Sequence, residues 1–518
     1  MTSQSRRSAL RRVATVALCV VTASCLSPAI VAAPSAEPAK HLQARLRAAD
    51  AWLATYLAQE AVPAASVAVV HDQDVLWSRG LGFTDRARRV PASADTRFSI
   101  CSISKLFTSI AAMRLRDAGQ LDLDAPVSTY LPWYPDDSAA ATTGPVTVRS
   151  ILSHVSGMPR EANAPYWATR EFPDASRLKD LLERQDANAP AFVHFDYSNL
   201  GMVLLGEIVA SLTSTNYQTH VQRELLGPLG LSQTTPRWPR ELYGTEFALG
   251  YAARNGRGER KALPFYEIGA LTAAAGFSSS AADLARFASW QFRVLDGNDA
   301  GVLASATLHE MQRVHWMSPD GQGERWGLGF RIQQRGSDML VGHEGGCPGF
   351  TSSLIMQPAD KIAVIVLVDV NDVDAGEVAL NLYDLLAEPI RAAYPKTPVV
   401  PAAAPPDPAI FEGVYGRPEY HNDIYVLAEE GGVMTMNLYA RAPAERIEHY
   451  RYVDGTTFRR LRPDGSLAET LRFELNDRGE PVRAWRNSQF LDHRPPRAHG
   501  SHKGAAIDSA HSGEWDGR

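Results

Sequence analysis

Strand-like and helix-like segments are distributed unevenly along the chain, and this distribution constrains the fold more than any other feature. Apolar runs at 65–70 and 75–83, separated by a polar turn, indicate a β-hairpin near the beginning. Runs at 349–357 and 361–369 indicate strands much later, followed by a helix at about 376–393. Between these ends, apolar residues recur at helical spacing. The economical packing is one antiparallel sheet built from both ends, flanked by helices, with a helical lobe inserted between them.

The end of the chain differs in composition. Five prolines fall between positions 398 and 408, and proline fixes φ and lacks a backbone donor, so we predict a stiff linker over 396–408. Short alternating runs separated by turn signals then predict a small all-β, barrel-like domain at 409–495. The fold class is therefore α+β with a C-terminal all-β barrel. The first domain is placed at 40–395, and the polar stretch 496–518 is predicted to be disordered.

The N-terminus has the features of an export signal. Four arginines precede an apolar stretch at 13–21, and small residues end at Ala33, which predicts a signal peptide over 1–33 and a periplasmic or secreted protein. Sec and twin-arginine export both stay open, and lipid anchoring at Cys25 is the alternative. No other apolar run reaches ~18 residues, so no transmembrane span is expected. The net charge of −6 shows no basic footprint, so no nucleic-acid partner is expected.

The first candidate for chemistry is Ser102-Ile103-Ser104-Lys105. It begins a segment of helical spacing, so Ser102 and Lys105 share one helix face. A serine hydroxyl needs a neighbouring group to take its proton, and a buried lysine loses its own proton more easily. The alternative is a helix start with a surface lysine. Ser176 and Lys179 repeat the pattern at the beginning of another amphipathic segment.

Two further motifs follow in order. Tyr197-Ser198-Asn199 precedes an apolar helix, so a phenol that acts as base or relay and an amide that holds a substrate carbonyl compete with a simple helix cap. His343-Glu344-Gly345-Gly346 stands on a strand-like run, where paired glycines allow close approach of a backbone and leave an N–H free. With the N–H of Ser102, that donor would make an oxyanion hole. The alternative is a glycine-rich hairpin with an incidental histidine.

In this order and context the three motifs resemble the signatures of the serine β-lactamase and penicillin-binding superfamily, S-x-x-K, Y-x-N and K/H-x-G. The resemblance extends over about 45–395 and favours the branch with class C β-lactamases, D-alanyl-D-alanine carboxypeptidases, D-aminopeptidases and family VIII esterases. The segments around the motifs that carry it are RFSI at 97–100, LDLDAPV at 121–127, TVRSILSHVSG at 147–157, AGFSS at 275–279, DLARF at 283–287 and WGLGF at 326–330.

The resemblance implies a role for each residue. Ser102 is the acylated nucleophile, Lys105 and Tyr197 share the proton relay, and Asn199 holds the substrate carbonyl or amide. His343 stands where other members have lysine, and Gly345 and Gly346 line the substrate site, with the second oxyanion N–H from Gly346. No metal or cofactor is implied. The expected partner is a small-molecule or peptide substrate, possibly derived from the cell wall, and the oligomeric state stays open.

The third motif departs from the family at Glu344, where a small residue such as Ser or Thr is usual. A carboxylate there would repel an acidic substrate, so we expect a neutral ester or amide, or a substrate with a free amine. The leading function is a serine hydrolase of esters, amides or D-amino-acid peptides. The alternatives are a D,D-peptidase or β-lactamase, and a non-catalytic penicillin-binding sensor or interaction protein.

Three more residues call for an interpretation. His154 lies in a Ser-His-Val-Ser-Gly turn, which favours local hydrogen bonding over a place in a catalytic triad. Cys101 adjoins Ser102, and Cys347 follows Gly346. Because the sequence does not give the distance between their Cα atoms, two separate thiols are expected, although an oxidising compartment would permit a disulfide.

Overall fold

The structure, a computed structural model, describes residues 36–494 except for 136–143, 184–187, 299–300, 320, 322, 396–406, 418–421 and 464. The predicted signal peptide, nearly all of the predicted linker and the polar tail lie outside these residues. Their boundaries therefore stay predictions.

Helices occupy the middle of the chain, where helical spacing predicts them. Helix α1 (Ala36–Gln59) precedes the first hairpin. The helices that follow are α2 (Ser104–Asp117), α3 (Val127–Tyr130), α4 (Val148–Leu152), α5 (Tyr166–Thr169), α6 (Ala175–Leu182), α7 (Asn199–Thr213), α8 (Tyr217–Val221), α9 (Thr272–Ala275), α10 (Ala281–Leu295), α11 (Ser305–Gln312) and α12 (Ala375–Ala393). Short 3-10 turns lie at Cys101–Ile103, Arg240–Leu242, Gly269–Leu271, Pro408–Phe411 and Pro443–Arg446, and a π-turn at Gln222–Leu226.

Nine strands form one antiparallel sheet. The strands of the first domain are β1 (Ala64–His71), β2 (Asp74–Asp85), β3 (Val90–Pro91), β4 (Arg97–Ser99), β5 (Ser278–Ser280), β6 (Trp316–Met317), β7 (Arg325–Trp326), β8 (Arg331–Arg335), β9 (Asp338–Cys347), β10 (Phe350–Gln357) and β11 (Ile362–Val368). The order in the sheet is β3-β2-β1-β11-β10-β9-β8-β7-β6, while β4 and β5 pair with each other. Early strand β1 thus lies beside late strand β11, with Val67 opposite Val366.

The sheet is covered on both faces. One apolar cluster joins its inner face to α2, α7 and α10, and another joins its outer face to α1 and α12. Strands buried on both faces read as continuous apolar runs, which is why β1 and β11 are recognisable in the sequence. The predicted α+β fold, one sheet built from both ends with an inserted helical lobe, is confirmed.

The C-terminal strands close into a barrel, as predicted. They are β12 (Gly413–Gly416), β13 (Ile424–Glu429), β14 (Gly432–Asn437), β15 (Ile447–Asp454), β16 (Thr457–Leu461), β17 (Leu467–Leu475), β18 (Pro481–Arg486) and β19 (Gln489–Arg494). The first and last of these strands pair, so the barrel has no free edge. Phe411, Tyr415, Phe458 and Phe473 form its aromatic centre.

Candidate active site

Ser102 and Lys105 lie side by side where the chain enters α2. Cys101 adopts a left-handed backbone conformation (φ +45°), so the chain turns sharply and places Ser102 in the 3-10 turn just before the helix. Ser102 is partly exposed, whereas Lys105 is completely buried. Their side chains share one face, as the spacing predicts, and Lys105 Nζ lies 3.2 Å from Ser102 Oγ.

The amine of Lys105 has two other polar neighbours. Its Nζ donates to Asn199 Oδ1 at 2.6 Å and to the carbonyl oxygen of Ala274 at 2.8 Å. Burial holds the pKa of Lys105 well below its usual range, although the nearby Glu161 carboxylate acts in the opposite direction. A neutral amine has two N–H donors and one lone pair. Since the two carbonyl acceptors take both donors, the lone pair is left for the hydroxyl proton of Ser102.

Asn199 is itself held in one orientation. Its Nδ2 donates to Glu161, whose other carboxylate oxygen accepts from the Tyr166 hydroxyl at 2.8 Å. This contact turns Oδ1 of the amide toward Lys105. The cap interpretation of the motif is also correct, because Ser198 Oγ accepts from the backbone N–H of Gly201 at 2.9 Å and begins α7. Cap and site are therefore two functions of one tripeptide.

Tyr197 completes the group around Ser102. Its hydroxyl is hydrogen-bonded to Ser102, and its ring lies 4.7 Å from Lys105 Nζ and 5.0 Å from the guanidinium carbon of Arg160. Burial raises the pKa of Tyr197 above its usual value, and the hydrogen bond with Ser102 offsets only part of that effect. Burial thus favours the protonated phenol, the form that a relay requires.

His154 lies under the tyrosine ring. Its backbone is left-handed (φ +56°), its Nδ1 accepts from the backbone N–H of Ser198 at 3.3 Å, and its ring is 4.4 Å from that of Tyr197. These side-chain contacts of His154 are with Tyr197 and Ser198 and not within its own turn, and none of them makes His154 a partner of Ser102. They link the turn at 153–157 to the Tyr-Ser-Asn motif.

The third motif lies on β9, beside the nucleophile. Pairing with β8 ends at Gly342, while pairing with β10 continues to Cys347, so residues 343–347 extend past β8 along the cleft. His343 is buried, and its Nδ1 lies 2.6 Å from the carbonyl oxygen of Glu344. A carbonyl oxygen only accepts, so Nδ1 carries the proton. Burial lowers the pKa of His343 to about 3, and the ring is neutral.

The glycines of this motif fit the predicted close approach. A Cβ on Gly345 would come within 2.3 Å of the carbonyl oxygen of Ile100 and of Ser352 Oγ. Only glycine leaves room for β9 to pass so near the turn that carries Ser102. Gly346, the next residue, is exposed and lines the cleft together with Ser102.

Glu344 does not present an unbalanced charge to the cleft. Its carboxylate accepts from Arg331 Nη1 at 2.7 Å and from Gln333 Nε2 at 3.3 Å, both on β8. Glu324 also lies 3.4 Å from Arg331. The repulsion expected for an acidic substrate is therefore reduced by a cation that the motif alone does not reveal.

The expectation of two separate thiols is wrong. Cys101 and Cys347 form a disulfide, with their Cα atoms 5.9 Å apart. The two residues are 246 positions apart in the sequence and meet because β9 packs against the turn at Ser102.

The cleft has two lobes that meet at Ser102. The larger, of about 770 Å³, is lined by Tyr197, Trp326, Arg331, His343 and Glu344. The smaller, of about 380 Å³, is lined by Glu161, Trp167 and Asn199 among others. All seven predicted site residues are thus at one crevice.

Sequence reasoning missed Arg160, Glu161 and Tyr166, which have no motif of their own. Trp326 begins the WGLGF segment at 326–330, and the centre of its ring lies 4.9 Å from that of His154 and 5.4 Å from that of His343. Across the described part of the chain, no group of three or more His, Cys, Asp or Glu side chains is placed to hold a metal ion. Within the same residues, no helix has the length and apolarity needed to cross a bilayer.

A model of the Beta-lactamase family matches residues 49–388, well over half of the chain. The chain belongs to this family. Members of the Beta-lactamase family are generally serine hydrolases, which agrees with a serine at the centre of the cleft.

Two curated relatives are similar to the chain at low identity. Protein flp of Staphylococcus aureus is 23% identical over 311 residues, or 60% of each chain. Beta-lactamase-like protein 2 of Dictyostelium discoideum is 24% identical over 377 residues, or 69% of this chain and 66% of the relative. The chain therefore spans about 60% of the length of the first curated relatives it matches.

Solved structures share the fold at low identity. The octameric penicillin-binding protein homologue from Pyrococcus abyssi has a TM-score of 0.58 at 23% identity, covering 86% of this chain and 99% of its own. A class C β-lactamase mutant has a TM-score of 0.56 at 20% identity, with 67% and 97% covered. A D-stereospecific amidohydrolase from Streptomyces has 0.54 at 20%, with 64% and 97% covered.

Proposed function

We propose that the protein is an exported serine hydrolase that forms an acyl-enzyme on Ser102 and hydrolyses an ester, amide or D-amino-acid peptide bond. The observation that carries this proposal is the state of Lys105. Its amine is buried, both donors of its neutral form are taken by carbonyl oxygens, and its Nζ is 3.2 Å from Ser102 Oγ. These are the conditions for a general base that activates a serine.

The proposed cycle assigns each proton. Ser102 Oγ attacks the substrate carbonyl carbon while its proton passes to Lys105 Nζ, and the developing oxyanion is held by the backbone N–H groups of Ser102 and Gly346. The neutral phenol of Tyr197 gives its proton to the leaving group and regains one from Lys105. Water then takes the place of the leaving group and attacks the acyl carbon. Its proton passes to Tyr197, the proton of Tyr197 passes to Lys105, and Lys105 returns a proton to Ser102 Oγ as the acyl bond breaks. His343, held with Nδ1 protonated, keeps an unprotonated and buried Nε2 beside the site.

Charge in the larger lobe narrows the class of substrate. Glu344 is balanced by Arg331, so that end of the larger lobe combines acidic and basic groups rather than a free cation for a carboxylate. We favour a neutral ester or amide, or a substrate with a free amine. A D,D-peptidase or β-lactamase is the second candidate, supported by the penicillin-binding and class C β-lactamase folds. The third candidate is a non-catalytic sensor that acylates without turnover.

Active-site labelling tests the proposal. A fluorophosphonate and a fluorescent penicillin should label the purified protein, and Ser102→Ala should abolish labelling. Ser176→Ala, in the second Ser-x-x-Lys at the first turn of α6, is the matched control and should label fully. Labelling that survives Ser102→Ala would contradict the assignment of the nucleophile.

Turnover separates the three candidates. p-Nitrophenyl acetate, D-alanine anilide and benzylpenicillin are compared on one batch of enzyme. Faster hydrolysis of benzylpenicillin would replace the leading candidate with the second. Labelling without turnover of any substrate would favour the third.

Export is a separate part of the proposal. It relies on the arginine-rich start and apolar stretch within residues 1–33. Expression in a bacterial host should give a processed form in the periplasmic fraction or medium, while deletion of 1–33 should leave the protein in the cytoplasm. Recovery of only the unprocessed, cell-retained form would contradict it.

A further inference from the structure

The disulfide lies next to both backbone donors that the proposed oxyanion hole needs. Cys101 directly precedes Ser102, and Cys347 directly follows Gly346. Both cysteines are buried. The bond therefore joins two distant segments of the chain at the two points where a backbone N–H must face the same substrate oxygen.

The turn that carries Ser102 is strained at the tethered residue. Cys101 has φ +45°, a left-handed conformation that is unfavourable for a residue with a Cβ. Such a conformation persists only when the surroundings hold it. Here the residue is covalently fixed to β9.

Non-covalent contacts hold the same junction more weakly. Ser352 Oγ donates to the carbonyl oxygen of Ile100 at 2.9 Å, and Ser99 Oγ lies 3.4 Å from both disulfide sulfurs. Gly345 passes against the carbonyl oxygen of Ile100 with no room for a Cβ. Ser352 lies on β10, so without the tether its hydroxyl bond would hold the turn to β10, while van der Waals packing at Gly345 would hold it against β9.

We propose that the Cys101–Cys347 disulfide is a positioning device that holds the N–H groups of Ser102 and Gly346 in register for the oxyanion. This inference rests on the proposed function. The disulfide touches no reacting atom, and it acts through the two residues it flanks. Its loss should lower the rate of the chemical step more than it weakens substrate binding.

Two double variants and a reporter of the tetrahedral state test the inference. Cys101→Ala/Cys347→Ala and Cys101→Ser/Cys347→Ser should lower kcat by about 10- to 100-fold, the scale of a misplaced oxyanion donor, with KM within about three-fold. Binding of a phenylboronic acid, which forms a tetrahedral adduct on the serine, should weaken in parallel with kcat. Leu53→Ala, in the α1 core away from the cleft, supplies a variant with lost stability and an intact disulfide.

The outcomes are distinct. The positioning role is overturned if kcat and boronic acid binding are unchanged in both double variants. It is also overturned if both fall equally in Leu53→Ala at a matched loss of thermal stability. In either case the proposed function stands.

If the double variants do not fold, the wild type is treated with a phosphine under native conditions. Loss of kcat that tracks thiol release supports the role, and full kcat after complete thiol release overturns it. If the wild type neither labels nor turns over, the proposed function fails, and this inference fails with it.

Discussion

The contact between Glu161 and Asn199 gives the sharpest prediction of the site. Glu161 turns the oxygen of the Asn199 amide toward Lys105 by accepting from its nitrogen. Glu161→Ala removes that acceptor and lets the amide rotate, which would point N–H groups at the amine. A hydrogen bond to a charged group contributes about 1.5–3 kcal/mol, so kcat/KM should fall by about 10- to 150-fold.

The assay is ester hydrolysis on the high-pH plateau, where a change in the pKa of Lys105 does not contribute. Tyr166→Phe is the matched control, because it removes the other bond to Glu161 at 2.8 Å and leaves the Asn199 contact. It should keep kcat/KM within about three-fold. In an Asn199→Ala background, Glu161→Ala should have no further effect. A loss below two-fold in the single variant, or a full loss in that background, would refute the orientation mechanism.

Three other measurements check separate parts of the structure. The acidic limb of the pH profile of kcat/KM should lie well below the usual pKa of lysine, because burial favours the neutral amine of Lys105, and an acidic limb near pH 10 would contradict this. Lys105→Arg should abolish that limb and lower kcat/KM by about 10²- to 10⁴-fold. The pKa of His343 is lowered to about 3 in the folded protein, so as pH falls the unfolded chain binds a proton before the folded one does. The free energy of unfolding should therefore decrease between pH 6.5 and 3, by up to about 1.4 kcal/mol per pH unit. His343→Asn should flatten that decrease when it is measured by urea unfolding. Ser198→Ala removes the cap of α7 and should cost about 1 kcal/mol in the same assay, an unchanged midpoint being the contrary result.

The parts of the fold that the sequence predicts are those written in local patterns. Strands buried on both faces, such as β1 and β11, are continuous apolar runs, and α7 is an apolar helix that starts after a serine cap. Turn signals at short intervals predict the strands of the barrel. In each case the periodicity or the turn chemistry lies within about ten residues, so no tertiary information is needed.

The contacts that the sequence did not predict are long-range ones. The disulfide partners are 246 positions apart, and Glu161 meets Asn199 across 38 positions without any motif spacing. The protonation states belong to the same class. The family resemblance implies that Lys105 and Tyr197 share a relay, but which of them gives up its proton depends on burial, and burial is a property of the whole fold.

Glu344 shows how such a long-range contact changes a functional argument. Taken as a residue of its motif, it is a carboxylate where a small side chain is usual, and it argues against acidic substrates. In the sheet, β8 lies beside β9, and Arg331 is brought within 2.7 Å of that carboxylate, with Glu324 on the other side of the guanidinium. One cation therefore lies between two anions at this end of the cleft. Glu344→Ser would leave Arg331 paired with Glu324 alone, so it should raise kcat/KM for benzylpenicillin relative to p-nitrophenyl acetate, and an unchanged ratio would contradict this argument.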